Sequence, residues 1–198
     1  MLAPTTNEVY LCAAAGGPAD VEAAVTAARR AFRGGPWPRL ANRERARVLN
    51  RIADAVEARD DELARLESYD TGLPITQAKG QARRAAENFR FFADLVVAQA
   101  DAACRPSRHA AGFAPQPGRP YKVPGTQLNY VNRKPVGVAG LITPWNTPFM
   151  LESWKLAPAL ASGCTVVLKP AEFTPASASL WAAIVEEAGL PTGVFNLV

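Results

Sequence analysis

The chain has 198 residues, of which 48% are hydrophobic and 20% are charged, and its formal net charge at pH 7 is +4. These values are typical of a globular protein and exclude a disordered or collagen-like chain. No apolar run reaches the ~18 residues that a membrane span needs, and the first eight residues lack the basic and apolar regions of a secretion signal. The three cysteines are far apart and odd in number, which fits a reducing compartment, so we predict a cytoplasmic protein.

The first hundred residues are predicted to be helical. Asp20 is a candidate N-cap of a first helix, and a Gly-Gly-Pro-Trp-Pro segment at residues 34–38 ends it. The apolar residues that recur at helical spacing, and so define its expected buried face, are Val21, Val25, Ala28 and Phe32.

A second and a third helix follow. Asn42 is the candidate N-cap of the second helix, Asp60 or Asp61 begins the third, and Gly72 ends it. The side chains expected to face inward are Val48, Leu49, Ile52 and Val56 in the second helix, and Leu63 and Leu66 in the third.

A longer fourth helix is predicted from about Ile75 to about Ala103, and the next segment differs in character. Residues 104–126 contain five prolines and three glycines. Because proline lacks a backbone N–H donor, this segment is predicted to be a long irregular connection. The apolar residues of the fourth helix that are expected to face a partner are Phe89, Phe92 and Val96.

The second half of the chain alternates between short apolar runs and helical patterns. The runs Val136–Ile142, Cys164–Leu168 and Gly193–Val198 are predicted strands, and 147–161 and 175–189 are predicted helices. Apolar strands separated by helices indicate a βαβαβ unit with a parallel sheet. We therefore predict an α/β fold in which a helical N-terminal region precedes part of a Rossmann-like sheet.

Ligands of such sheets bind at the carboxyl ends of the strands, and the first of these ends carries an asparagine. Pro144 and Pro148 make the turn stiff and hold Asn146 between them. The Asn146 amide can donate a hydrogen bond to a developing oxyanion, or it can cap the helix that follows. The residues alone leave both roles open.

The second strand end pairs a cation with a carboxylate. Lys169 and Glu172 are three residues apart, across Pro170. Together they can bind the two hydroxyl groups of a ribose, or they can form a solvent-exposed ion pair that contributes little. Neither strand end has the glycine pattern of the common phosphate-binding loops.

Several motifs occur in one order and at characteristic intervals. These segments are residues 135–146, 154–160, 163, 165–172, 174–175, 187–191 and 193–196. In this combination the chain resembles the NAD(P)-dependent aldehyde dehydrogenase family, over nearly its whole length. Residues 91–94, 123–125 and 128–135 are most similar to the semialdehyde and betaine-aldehyde branches, and there to 5-carboxymethyl-2-hydroxymuconate semialdehyde dehydrogenases of aromatic degradation.

The resemblance implies a role for each strand end. Asn146 matches the side chain that polarises the aldehyde and holds the tetrahedral thiohemiacetal, after a cysteine thiolate has attacked the carbonyl. Lys169 and Glu172 match the pair that binds the adenosine ribose, with Ala171 between them. The residues that match the turn along the cofactor are Ile142, Thr143, Pro144 and Trp145. The implied cofactor is NAD, with NADP possible, and the implied substrate is a small aldehyde such as a muconate-type semialdehyde.

The resemblance also implies an organisation of the chain. Its parts are a helical region at 1–103, the proline-rich connection at 104–126, an oligomerisation strand at 127–135 and the first half of the cofactor-binding domain at 136–198. Family members are more than twice as long as this chain. We therefore expect the glycine-containing cofactor loop, the general-base glutamate and the nucleophilic cysteine beyond Val198, and residues 1–198 alone to be inactive. The full-length enzyme is expected to be a homodimer or homotetramer, with no nucleic-acid or membrane partner.

Several residues that attract attention are given structural roles. The surroundings of Cys12, Cys104 and Cys164 do not match those of the nucleophile, and Cys164 is expected to be a packing residue. His109, in the proline-rich connection, is no basis for a metal site, so none is predicted. Trp154 has helical spacing and is expected in the core.

Two other classes of function were weighed. A free-standing nucleotide-binding or interaction module without catalysis would use the same strand ends. A nucleic-acid binder would rest only on the positive charge, because basic residues interleaved with aromatic ones do not cluster in the sequence.

Overall fold

The computed structural model describes residues 1–102 and 134–198. In chain order, the elements of these two ranges are α1 (Pro18–Gly34), a single 3-10 turn (Trp37–Arg39), α2 (Asn42–Glu57), α3 (Asp60–Thr71), α4 (Ile75–Ala102), β1 (Val138–Ile142), α5 (Pro148–Ala161), β2 (Thr165–Lys169), α6 (Ala176–Glu187) and β3 (Phe195–Leu197). The α/β class and the order of helices and strands agree with the prediction. The whole of the predicted connection at 104–126, with Cys104 and His109, and most of the oligomerisation strand at 127–135 lie outside the described residues.

The three strands form one parallel sheet in the order β1-β2-β3, as the βαβαβ pattern predicts. Val138 pairs with Thr165, and Ile142 pairs with Lys169. Each strand begins later than predicted, β1 at Val138 instead of Val136. Gly137 has a φ of 133°, which interrupts the extended backbone, and Val136 remains exposed.

β2 shows how the sheet is covered on both faces. Its Val166 and Leu168 belong to the main hydrophobic core. On the alternate face, the Thr165 hydroxyl donates a hydrogen bond of 3.0 Å to the carbonyl oxygen of Ala28 in α1. Gly193, just before β3, has a φ of 79° and lies close to α1, where a Cβ would be 3.2 Å from the Ala27 oxygen. A side chain here would push α1 away from the sheet.

The N-caps of α1 and α2 differ from the prediction. Gly17 is the N-cap of α1, and the Asp20 carboxylate accepts a hydrogen bond from its N–H at 2.8 Å. Ala41 is the N-cap of α2, and Glu44 accepts from its N–H at 3.0 Å. In both helices an acidic residue in the first turn caps from inside, so Asp20 and Asn42 are the wrong N-caps.

The inner faces follow the prediction in α2 but are corrected in α1 and α3. In α1 the prediction is confirmed for Ala28, which is fully buried, and is wrong for Val21, which is 44% exposed. Ala31 is buried as well. In α3, Leu63 is fully buried, but the position predicted for Leu66 goes to Glu67, which is 1% exposed. The α2 residues predicted to face inward, all of them buried, are Val48, Leu49, Ile52 and Val56.

One continuous hydrophobic core joins the helices to the sheet. At its centre the ring of Trp181 in α6 stacks on Phe149 of α5, with centroids 4.1 Å apart, and lies 5.5 Å from Phe89 of α4. The expectation that Trp154 lies in this core is wrong, because its side chain is 55% exposed on the outer face of α5. None of the helices within residues 1–102 and 134–198 is long and apolar enough to cross a bilayer.

Candidate active site

The two predicted strand ends lie side by side. Ile142, the last residue of β1, pairs with Lys169, the last residue of β2, and the Thr143 N–H donates to the Lys169 carbonyl at 3.2 Å. The turns that follow therefore begin at the same edge of the sheet. This brings the Asn146 turn and the Lys169–Glu172 turn together, as expected for a ligand site at the carboxyl ends of parallel strands.

Most residues of the first turn are exposed to solvent. Ile142 and Trp145 are 70% and 60% exposed, and Pro144 and Asn146 are exposed as well, whereas Thr143 is buried. The N-cap of α5 is Thr147, so Asn146 does not cap the helix. The turn therefore leaves the Asn146 amide available for another partner.

In the second turn, Lys169 and Glu172 form an exposed ion pair. The Lys169 Nζ lies 3.2 Å from the Glu172 Oε2 and 3.1 Å from the Pro170 carbonyl oxygen. Hydrogen bonding from its own backbone N–H, together with Lys169, lowers the pKa of Glu172, which keeps the carboxylate charged. Both side chains retain unused donors and acceptors, so the pair can also contact a ligand.

A cavity of about 480 Å³ lies beside this pair. Its wall includes Lys169, Ala171 and Glu172 on one side and the segment 13–16 on the other. Ala171, between the two charged residues in the chain, is buried. A carboxylate that accepts and an ammonium group that donates, side by side at a cavity, suit a pair of neighbouring hydroxyl groups.

The comparison with protein families adds an independent observation. Residues 1–198 match the family described as "Aldehyde dehydrogenase family". The chain belongs to this family.

Its relatives agree with the branch that the sequence resembles. It is 40% identical over 196 residues to 5-carboxymethyl-2-hydroxymuconate semialdehyde dehydrogenase of Escherichia coli, covering 98% of this chain and 38% of that protein. The NAD-dependent aldehyde dehydrogenase of Sinorhizobium meliloti superposes with a TM-score of 0.78 and 42% identity, over 91% of this chain and 33% of that one. The structure of PnpE with nicotinamide adenine dinucleotide matches with a TM-score of 0.84 and 39% identity, over 100% and 37%. The chain thus spans little more than a third of the length of these proteins.

The two cysteines of the described ranges lie in the N-terminal segment and at the amino end of β2. Cys164 is 3% exposed and precedes β2, which confirms its expected packing role, and Cys12 is exposed near the N-terminus. Within the described ranges, His, Cys, Asp and Glu side chains do not group in threes that could hold a metal ion.

A buried carboxyl group that was not predicted from the sequence lies beside the first turn. Glu152 of α5 is fully buried, accepts a hydrogen bond from the Trp181 Nε1 at 2.7 Å and lies 3.5 Å from the Thr143 hydroxyl. Glu152 shares a helix face with Phe149 and Leu156. An acidic residue on an otherwise apolar face is the sequence feature that could have predicted its burial. Through Thr143, Glu152 supports the turn from below.

We predict that Glu152 makes stability fall as the pH rises. Burial, with repulsion from Glu67 and Asp70, raises its pKa from 4.5 to about 8, against the hydrogen bonds from Trp181 and Thr143. The folded protein therefore binds more protons than the unfolded protein between these values, and stability is lost as the pH rises through this window. Glu152→Gln keeps the hydrogen bonds without the charge, so in the full-length protein it should leave stability at about pH 5 nearly unchanged and raise it by roughly 1–3 kcal/mol at about pH 8.5.

Urea unfolding of wild type and variant at the two pH values measures this difference. Glu187→Gln is the control, because Glu187 is exposed and its pKa is lowered by Arg59. Glu187→Gln should not raise the free energy of unfolding at about pH 8.5. A loss of stability in Glu152→Gln of the same size at both pH values would contradict the prediction.

Proposed function

We propose that this chain is part of an NAD-dependent enzyme that oxidises a small aldehyde to a carboxylate, with muconate-type semialdehydes as the substrate class. The observation that carries the proposal is the pairing of Ile142 with Lys169. Because of this pairing, the Asn146 turn and the Lys169–Glu172 turn begin at the same edge of the sheet. Membership of the aldehyde dehydrogenase family supports the reaction class. The name of the Escherichia coli relative supports the substrate class.

In this proposal the second turn holds the adenosine ribose of NAD. Glu172 accepts from a ribose hydroxyl, Lys169 donates to its neighbour, and Ala171 leaves room between them. The turn at residues 142–145, in which all residues except Thr143 are exposed, lies along the cofactor. When bound, NAD supplies the hydride acceptor for the oxidation.

The first turn serves the aldehyde. Asn146 is exposed, is not needed as a helix cap, and is held between Pro144 and Pro148. Its amide N–H donates to the carbonyl oxygen of the substrate as negative charge develops there. Because a fixed donor needs no reorganisation during the reaction, it stabilises the transition state more than the ground state.

We also propose the wider organisation that the resemblance implies. Residues 1–103 act as a helical region, 127–135 as an oligomerisation strand and 136–198 as the first half of the cofactor-binding domain. The full-length enzyme is a homodimer or homotetramer. The odd number and wide spacing of the three cysteines support a reducing cytoplasmic location.

Replacing Asn146 tests the oxyanion role. In the full-length enzyme, Asn146→Ala should lower kcat by ~10²–10³-fold, because one oxyanion donor is lost. The affinity for NAD should barely change, because the ribose-binding turn is intact. Steady-state kinetics together with NAD titration separates the two effects, and near-wild-type turnover would contradict the role.

The carboxylate of Glu172 predicts the choice of cofactor. It accepts from a ribose 2′-hydroxyl but repels a 2′-phosphate, while Lys169 partly offsets that repulsion. We therefore expect a higher kcat/KM with NAD than with NADP, without strict exclusion of NADP. Glu172→Gln, which removes the charge but keeps an acceptor, should lower the ratio of kcat/KM with NAD to kcat/KM with NADP. Equal values for the two cofactors in the wild-type enzyme would contradict this prediction.

Residues 1–198 produced alone should not oxidise aldehydes. The reaction needs a thiolate beside both the carbonyl and the nicotinamide. Cys164 is buried at the amino end of β2, and the surroundings of Cys12 in the N-terminal segment do not match those of the nucleophile. We expect weak or absent NAD binding, poor solubility, because the edge of β3 is unpaired among the described residues, and no NADH formation. NADH formation that is lost on replacing one of the chain's own cysteines would overturn this assignment.

A further inference from the structure

Neither helix that follows a site turn caps its own N-terminus. The N-cap of α5, Thr147, makes no side-chain hydrogen bond there, and Pro148 has no N–H to offer. The N-cap of α6 is Pro175, whose side chain cannot accept a hydrogen bond. The first free N–H donors are therefore those of Phe149 and Ala176, and both need a partner from elsewhere.

A single helix of the N-terminal region supplies both partners. The Glu67 Oε1 accepts from the Phe149 N–H at 3.1 Å, and the Asp70 Oδ2 accepts from the Ala176 N–H at 2.8 Å. Glu67 and Asp70 are three residues apart on α3, so they lie on the same face of the helix. Both are buried, at 1% and 6% exposure.

The charges of these caps suit the places they occupy. A helix N-terminus carries partial positive charge, which favours a carboxylate. Burial raises the pKa of Glu67 to about 7 and that of Asp70 to about 6, while the N–H groups of Phe149, and of Ala176 and Ser177, act in the opposite direction. The two caps thus provide hydrogen-bond acceptors at helix N-termini that are buried and that surface carboxylates do not contact.

Each cap lies directly after one of the two site turns. Phe149 follows Asn146 by three residues, and Ala176 follows Glu172 by four. Because Glu67 and Asp70 belong to one rigid helix, the ends of the two turns are held at a set separation. Displacement of a reacting group by about 1 Å can cost roughly 100-fold in rate, so this separation matters for catalysis.

We propose that Glu67 and Asp70 are positioning residues, Glu67 for the Asn146 turn and Asp70 for the Lys169–Glu172 turn. This inference rests on the proposed function. It assigns separate kinetic effects to two neighbouring residues of the same helix. Loss of the Glu67 cap should act on aldehyde turnover, and loss of the Asp70 cap should act on NAD binding.

The test uses the full-length enzyme with Glu67→Ala and Asp70→Ala. We expect Glu67→Ala to lower kcat roughly 10- to 100-fold, with the Kd for NAD within about twofold of wild type. Asp70→Ala should raise the Kd and KM for NAD roughly tenfold, with a much smaller change in kcat. The conservative variants Glu67→Gln and Asp70→Asn keep an acceptor oxygen and should restore each value to within about threefold of wild type.

Matched controls come from the far ends of the same helices. Arg45 donates to the Ala161 oxygen at the end of α5, and Arg51 donates to the Ala188 oxygen at the end of α6, at 3.0 and 2.8 Å. Arg45→Met and Arg51→Met remove a charged end contact without touching a site turn. These two variants should lower Tm as the alanine variants do. Neither should change kcat or NAD affinity selectively.

Hydrogen exchange provides a readout besides activity. Exchange at Phe149 should accelerate in Glu67→Ala only, and exchange at Ala176 in Asp70→Ala only. If an alanine variant fails to accumulate, Glu67→Asp and Asp70→Glu replace it, because they shift the carboxyl group by one methylene. Glu67→Asp should lower kcat and Asp70→Glu should weaken NAD binding, each by a smaller factor than the alanine variant.

The outcomes separate the two hypotheses. A wild-type enzyme without aldehyde oxidation or NAD binding refutes the proposed function and this inference with it. If the wild-type enzyme is active, two results would refute the positioning role alone. In the first, both alanine variants lower kcat and NAD affinity together in proportion to the loss in Tm, as general destabilisation would. In the second, the amide variants fail to restore kcat and NAD affinity.

Discussion

The two helices α5 and α6 are held at both ends by charged side chains from the N-terminal helices. Glu67 and Asp70 accept from their N-termini, and Arg45 and Arg51 donate to their C-terminal carbonyl oxygens. The arginine cations, and the two carboxyl groups when ionised, match the partial charge of the helix end that they contact, and a charged contact of this kind contributes up to about 2 kcal/mol when partly buried. Because α5 and α6 connect the strands, α2 and α3 set the position of the sheet edge that carries the site.

The core between these helices contains a polar group that burial keeps neutral. An ionised Glu152 without a cationic partner would cost several kcal/mol at its buried position. Keeping it protonated costs only about 1.4 kcal/mol per pH unit above its ordinary pKa, so protonation wins near neutral pH. In this form Glu152 still accepts from Trp181, whose ring stacks on Phe149, and it remains beside Thr143. The aromatic contact and the site turn are thereby joined through one side chain.

Much of the candidate site follows from local sequence. Short apolar runs separated by helical patterns predict parallel strands, and parallel strands place their carboxyl ends at one edge. Asn146, Lys169 and Glu172 were identified in this way, and the structure places their turns side by side. The structure leaves Lys169 and Glu172 half exposed or more, where an ion pair adds little stability. Stability therefore does not explain their placement, and the proposed function assigns them to ribose binding instead.

Sequence by itself determined the order of the elements, the inner face of α2 and the end of α3 at Gly72, which has a φ of 74°. These features depend on periodicity and on backbone preferences within a few residues. Only the tertiary structure decided that Glu67 is buried where Leu66 was expected, and that Trp154 faces outward. The caps of α5 and α6 come from residues 82 and 106 positions away in the chain. No local pattern contains that information, because the need for a distant carboxylate arises only when a proline-initiated helix is packed against α3.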